Sequence, residues 1–314
     1  YRRLGKSALI KNVFYHLSKN YITVYADLWG TTSVSGMVKE LANAIIRSGT
    51  FGKRGFGAKF NDFVKSLGAS FSIGMDGLPT VGMMLNDRKR EFTDLEQVFR
   101  FLQGLSQPVV LALDEFQEIK NYQDSIPLEG KLRALGQECS NIRFIYSGSE
   151  KKLLSEIFNK YDRPFYQSTR MIGLDKIDGD LYAAFIDNHF KAAKKSLQPD
   201  IIAHILATTY RHTRYVQTIC NYLYGQPQLP KSLGEFDTLY YDFLQEQSVF
   251  YAELPDRVTR QQFEVIKAFA RNGQVKETTG AAFLKDAGVS STSSMSRVIN
   301  ALSSKQFIIR DEGQ

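Results

Sequence analysis

The sequence predicts an α/β domain built on parallel strands, continued first by consecutive helices and then by a small helical unit that ends in a strand. Three observations predict it. Apolar, strand-like runs alternate with helical stretches through the first half of the chain. One of them, VVLAL at 109–113, is apolar on both faces, as a strand covered by helices on each side must be. After about residue 175 the strand-like runs stop.

The elements follow in order. KSALIKNVFYHLSKN (6–20) places Leu9, Ile10, Val13, Phe14 and Leu17 at helical spacing, and YITVYAD (21–27) is β-branched and aromatic, a strand. SGMVKELANAIIRSG (35–49) reads as a helix capped by Ser35 and stopped by Gly49. SFSIGM (70–75) and TVGMML (80–85) flank Asp76, Gly77 and Pro79, which signals a hairpin. A helix over about 93–105 leads to PVVLALDEF (108–116), a strand ending in two carboxylates; NIRFIYSGS (141–149) is another apolar strand ending in small polar residues. Residues 178–250 read as consecutive helices broken near GQPQLPK (225–231). The last sixty residues read as three helices (261–273, 279–288 and 290–306) and a strand entering a turn (307–313), the pattern of a winged helix.

Composition narrows the function classes. The 314 residues suit two or three domains, and 43% apolar with 23% charged residues is ordinary globular usage, which excludes a disordered or collagen-like chain. The longest apolar run is a strand's length, too short to span a membrane, and no signal-peptide pattern is visible from Tyr1. Two cysteines, Cys139 and Cys220, stand far apart, and four histidines form no ligand pattern; a structural zinc site is not expected, and a reduced, cytosolic setting is. The net charge of +7 suits phosphate or nucleic-acid partners. Residues 1–100 carry 15 basic and 8 acidic side chains and so hold the whole excess, whereas 256–314 carry 9 and 6.

The chemistry sits at the first residues. Tyr1-Arg2-Arg3-Leu4-Gly5-Lys6-Ser7 matches the tail of a GxxxxGK[ST] phosphate-binding loop. Glycine lets backbone N–H groups close on phosphate oxygens, lysine reaches the β- and γ-phosphates, and Ser7 supplies a hydroxyl for Mg²⁺. The pattern's first glycine would stand one residue before Tyr1, so the sequence is expected to be part of a longer polypeptide. LALDEF (111–116) is the partner such a loop needs: an apolar strand delivering Asp114 to the Mg²⁺ shell, with Glu115 beside it to orient and polarise an attacking water.

RRLGKSALI, YADLWGTTS, LALDEFQEI, IYSGSE, RPFY and YVQ occur in this order. Together they resemble the archaeal-type ATPases of the AAA+/STAND branch of P-loop NTPases, bacterial members in particular, over nearly the whole chain. The resemblance implies a P-loop NTPase sheet with helices on both faces (1–175), an all-helical lid (176–250) and a winged helix (251–314). It implies ATP binding by Arg3, Leu4, Gly5, Lys6, Ser7 and Ala8, Mg²⁺ held by Ser7 and Asp114, slow hydrolysis with Glu115 on the water, and use of the nucleotide as a switch or motor. Ser147 is the residue expected to sense the γ-phosphate. Arg163 in RPFY is the expected catalytic arginine and Arg170 the second candidate, because relatives carry arginine where this chain has Ser168; either arginine also suits pairing with a carboxylate. Relatives often show a Gly-His-Pro-like turn before Tyr-Val-Gln. Here the stretch is Arg211-His212-Thr213-Arg214-Tyr215-Val216-Gln217, which leaves Arg214 as the expected lid arginine, Tyr215 and Val216 as core, and His212 as a helix-start polar group.

Two further features carry alternatives. RSGTFGKRGFGAKFNDFVK (47–65) interleaves Arg47, Lys53, Arg54, Lys59 and Lys65 with phenylalanines, a composition that suits single-stranded nucleic acid. Phe56, Phe60 and Phe63 stand at i, i+4 and i+7, however, which favours the core face of a helix. The winged helix offers DNA contact through 290–306, yet Ser290 to Ser294 with one arginine, Arg297, makes a near-neutral surface that equally suits a protein partner. Three readings follow: an ATPase, a nucleic-acid-binding regulator with little turnover, and a scaffold forming homo-oligomers on ATP. None involves a membrane.

Overall fold

The computed structural model describes residues 4–48, 56–67, 69–73, 79–83, 90–305 and 307–308. Helix α1 (Lys6–Leu17) leads into strand β1 (Ile22–Asp27) and helix α2 (Val34–Arg47). After α3 (Phe56–Ser66), β2 (Ala69–Ile73) and β3 (Pro79–Met83) pair antiparallel; the turn expected between them lies outside the described residues. Next come α4 (Glu91–Gln103), β4 (Val109–Asp114), a 3-10 segment (Phe116–Asn121), α5 (Ser125–Glu138), β5 (Ile142–Tyr146) and α6 (Lys151–Asn159). The sheet is parallel throughout, in the order β1–β4–β5.

Strand β4 explains the layering. Every one of its residues is buried. Val110 and Ala112 turn to one face and cluster with Ile10 and Phe14 of α1 and with Tyr25 of β1. Val109, Leu111 and Leu113 turn to the other, into the main core with Met37 and Leu41 of α2, Leu95 of α4 and Leu128 and Leu132 of α5. Period-2 alternation between two apolar faces is what an interior strand under helices requires. The register sets Tyr25 opposite Ala112 and Asp27 opposite Asp114, which brings the acidic ends of two strands side by side.

Two expectations change. Ser33, not Ser35, caps α2: Ser33 has extended backbone (φ −153°) and its hydroxyl accepts from Gly36 N at 3.1 Å, whereas Ser35 lies inside the helix and donates to Glu91 at 2.8 Å. An N-cap must leave helical geometry to reach the free amides, and only Ser33 does. Gly49, the expected stop, lies outside the described residues. Helices α5 and α6 occupy stretches to which the sequence pattern assigned no element. Phe60 and Phe63 of α3 lie on the core face that their spacing favours: both are buried, Phe60 meeting Phe101 of α4 edge-on and Phe63 stacking on it, so neither is presented to a nucleic-acid strand.

Four helices follow: α7 (Gly179–Ala192), α8 (Pro199–Thr208), α9 (Thr213–Gly225) and α10 (Leu233–Tyr251). The described residues divide into two compact units, one drawn from Tyr1–Lys194 and Ile202–Asn221, the other from Lys195–Ile201 and Tyr222–Gln314. Within the second, α11 (Arg260–Asn272), α12 (Ala281–Asp286) and α13 (Thr292–Ser304) close a separate core of Val265, Ala268, Phe283, Met295, Ile299 and Leu302. Thr259 and Gln262 form a reciprocal capping box at the start of α11. The wing expected over 307–313 lies mostly outside the described residues. Among the described residues, no helix is long and apolar enough to cross a membrane.

Candidate functional site

A cleft of about 620 Å³ opens in the first unit, lined by Gly5, Lys6, Ser7 and Ala8, by Asp27 and Trp29 after β1, by Asp114 and Glu115 after β4, by Ser149 after β5, and by Thr213, Arg214 and Gln217 of α9. The sheet itself makes this place. Parallel strands ending together put their carboxyl ends, and the loops that follow, on one edge.

Gly5 turns the chain into α1 with φ +94°, the left-handed region that favours glycine, and Leu9 N donates to its carbonyl at 2.9 Å. Its capping position carries no side-chain hydrogen bond, so the first-turn amides of Lys6, Ser7 and Ala8 are not capped by a side chain, in the arrangement that receives anions. Ser7 Oγ donates to Asp114 Oδ2 at 2.6 Å across 107 residues of chain. The same oxygen accepts from the Tyr25 phenol, and Glu115 N donates to Asp114 Oδ1 at 3.0 Å. Burial alone would push the Asp114 carboxyl up, but the donors around it, Ser7 and Tyr25 first, together hold it below the usual carboxylate range. Asp114 is 2% exposed, and it stays an anion.

Glu115 begins the 3-10 segment in left-handed conformation (φ 50°, ψ 41°), which costs a non-glycine residue of order 1 kcal/mol. Its Oε2 accepts from Gln117 Nε2 at 2.5 Å, Ser149 Oγ at 2.7 Å and Ser149 N at 3.3 Å. The turn carrying Trp29 is tied to β4 by Leu28 N donating to Asp114 O at 3.0 Å, and Asp27 Oδ1 accepts from Trp29 N at 3.0 Å.

The expected site residues separate into those the cleft gathers and those it does not. Gly5, Lys6, Ser7, Ala8, Asp114, Glu115 and Arg214 line it. Arg3 lies outside the described residues, and Leu4 is adjacent to the loop without lining the cleft. Ser147 is buried and does not line the cleft, and its hydroxyl makes no hydrogen bond among the described residues; Ser149 is the serine of that strand end that lines it. Arg163 is committed elsewhere, to a buried ion pair with Glu129. Arg170 is exposed and outside the cleft. Val216 is buried as expected, whereas Tyr215 is half exposed, because α9 turns residue 215 away from the face on which Val216, Ile219 and Leu223 are buried.

Tyr25, Asp27, Trp29, Gln117, Ser149, Thr213 and Gln217 are the site residues that sequence reasoning passed over. Trp29 and Gln117 lie inside the quoted segments YADLWGTTS and LALDEFQEI, and Ser149 ends IYSGS. The signal for Tyr25 exists only in register, since it depends on the small Ala112 beside it leaving room toward Asp114.

The donor set is chemically coherent. Lys6 and Arg214 supply positive charge for an anion, while a hydroxyl and carboxylates are the oxygen ligands a hard divalent cation takes.

Comparison with known proteins agrees with this architecture. Residues 249–314 match the family model described as a probable winged helix domain. No curated protein matches the chain. Among solved structures, the chain is similar to a Walker-type ATPase of Pyrococcus abyssi, with TM-score 0.60 and 17% identity over 99% of this chain and 84% of that one. Weaker likenesses are to Cdc6p from Pyrobaculum aerophilum (TM-score 0.46, 12% identity, 99% and 79% covered) and to the Orc1 protein of Aeropyrum pernix solved with DNA (TM-score 0.47, 11% identity, 96% and 75% covered). The chain has the fold of a P-loop ATPase: a parallel sheet between helices, a helical region after it, and a winged helix domain over residues 249–314.

Proposed function

We propose that the chain binds ATP with Mg²⁺ in this cleft and hydrolyses it slowly, as a nucleotide-dependent switch of three parts: the α/β domain (about 1–175), a helical lid (about 176–250) and the winged helix (about 251–314). One observation carries the reading. Ser7, from the loop that opens α1, and Asp114, at the end of the central strand, meet at 2.6 Å in a cleft that also holds Lys6 and Glu115. Sequence spacing alone does not bring those four groups together; the fold does.

The residues then divide the work. Backbone amides of Gly5 to Ala8 and the Lys6 ammonium hold the β- and γ-phosphates. Ser7 and Asp114 are the residues that would hold Mg²⁺, which when bound neutralises charge between those phosphates. Glu115 orients the attacking water and accepts its proton. Arg214, from α9, brings a second cation to the phosphates, so that the lid helix responds to what the cleft contains. Arg163 has no part in this scheme, because its guanidinium already serves Glu129. The test follows the single tryptophan, Trp29, which lines the cleft. ATP with Mg²⁺ is expected to change its fluorescence saturably, and Glu115→Gln to keep that binding while phosphate release falls at least tenfold. Equal turnover in Glu115→Gln contradicts the role given to Glu115.

A second reading concerns the winged helix. Helix α13 buries Met295, Val298, Ile299 and Leu302 and turns Thr292, Ser293, Ser296 and Arg297 outward, a polar helix face suited to a DNA groove. A salt-dependent shift of a DNA duplex that persists without ATP is the expected result; no shift at low salt assigns this face to a protein partner instead.

A further inference from the structure

Gln117 is buried to 1% exposure, yet its side chain is polar and half of it is unpaired. Its Nε2 donates to Glu115 Oε2 at 2.5 Å, while its Oε1 takes no hydrogen bond among the described residues. The amide cannot be turned round. A carboxylate only accepts, so the NH₂ must face Glu115, and the carbonyl is thereby driven the other way. It finds space only because residue 148 is glycine: a Cβ there would fall on Gln117 Oε1 and stand 3.0 Å from Leu154 Cδ1. An unpaired buried carbonyl is rare in native proteins and calls for a reason beyond packing.

The Glu115 end supplies that reason. Three donors, from Gln117 and from the side chain and backbone of Ser149, converge on Oε2, and none of the described residues donates to Oε1. The left-handed backbone at Glu115 turns the side chain so that it lines the cleft while Oε2 faces those donors. Resting on the hydrolytic reading above, we infer that Gln117, seated against Gly148, is a positioning residue: it holds Oε2 of Glu115 so that Oε1 is the oxygen left to take a proton from water. Gly148 is part of the same device, since any larger residue displaces the amide.

The test is a double-mutant cycle in the intact polypeptide, with ATP affinity from Trp29 fluorescence and hydrolysis from phosphate release at saturating Mg²⁺ and ATP. Gln117→Met keeps volume and removes the donor; Gly148→Ala keeps every polar group and pushes the amide from the opposite side. Both are expected to lower kcat roughly tenfold or more, as a mis-aimed base does, with ATP affinity within about twofold of wild type. In the Glu115→Gln background neither is expected to lower kcat further. Hydrolysis within about twofold of wild type in both variants overturns the inference, as does an equal fractional loss in the Glu115→Gln background or a parallel loss of ATP affinity, either of which marks a purely structural residue. A wild-type polypeptide whose hydrolysis does not depend on Glu115 overturns the parent reading, and this inference with it; Glu115-dependent hydrolysis that ignores Gln117 overturns this inference alone.

Discussion

The Tyr25 phenol donates to the oxygen of Asp114 that also takes the Ser7 hydroxyl, so two O–H groups from different elements converge on one carboxylate oxygen. Tyr25 reaches it because its strand neighbour, Ala112, is small, and α1 covers the ring from above, with Lys11 Nζ 5.2 Å from its centroid. Burial, followed by the Asp114 contact, pushes the phenol well above its usual range, so it remains a donor at any working pH.

Tyr25→Phe removes this restraint without removing the ring. Groups that hold a ligating carboxylate in place commonly set metal affinity. The Mg²⁺ concentration giving half-maximal ATP binding is expected to rise about tenfold. ATP binding without metal should not change. Titrating Mg²⁺ against Trp29 fluorescence checks this, and an unchanged midpoint removes Tyr25 from the metal's surroundings.

Arg163→Ala separates two accounts of one residue. Glu129 is 0% exposed and Arg163 15%, so removing the arginine strands a buried acid, a change that costs about 3–5 kcal/mol of stability. Burial outweighs Arg163 and already holds the Glu129 carboxyl above its ordinary value. Its folded pKa therefore exceeds its unfolded one, and the stability linked to its proton is present at low pH and lost as pH rises through the folded value. The variant should accordingly melt lowest at neutral pH and recover toward wild type as the solution is acidified. Melting curves across pH check this. A variant that melts like wild type but hydrolyses ATP poorly contradicts the assignment and returns Arg163 to the γ-phosphate.

Burial pushes the Cys220 thiol up to about 11, so at pH 8 only about one molecule in a thousand carries the reactive thiolate. Alkylation of Cys220 in the folded protein, followed by mass spectrometry, should be far slower than in denaturant and should rise roughly tenfold per pH unit up to about pH 10. A pH-independent rate, or one equal to the unfolded rate, contradicts this placement of the thiol.

Much of this arrangement was legible before any coordinates. The all-apolar β4 announced its place in the sheet, because a strand buried on both faces has no alternation to disguise it. GKS and DEF named Lys6, Ser7, Asp114 and Glu115 because backbone geometry and phosphate chemistry leave few substitutes. What stayed hidden depends on partners distant in sequence. For Arg163 the sequence left both a phosphate and a carboxylate partner open, and only the fold brings Glu129, 34 residues away in sequence, against it. Ser147 and Ser149 are indistinguishable in SGS, and only the strand's exit direction decides which one faces the cleft. Tyr215 and Val216 read alike as apolar, and the helix phase of α9 decided which of them is buried. Helices α5 and α6 begin without a side-chain cap, so the punctuation that marks α2 and α11 was missing there.

The most direct measurement is ATP affinity, with Mg²⁺, in Lys6→Ala, since Lys6 is the one ammonium that both the loop pattern and the cleft assign to phosphate. The account predicts at least a tenfold weaker dissociation constant for the variant, as loss of a charged phosphate contact requires. Wild-type affinity in Lys6→Ala would contradict it.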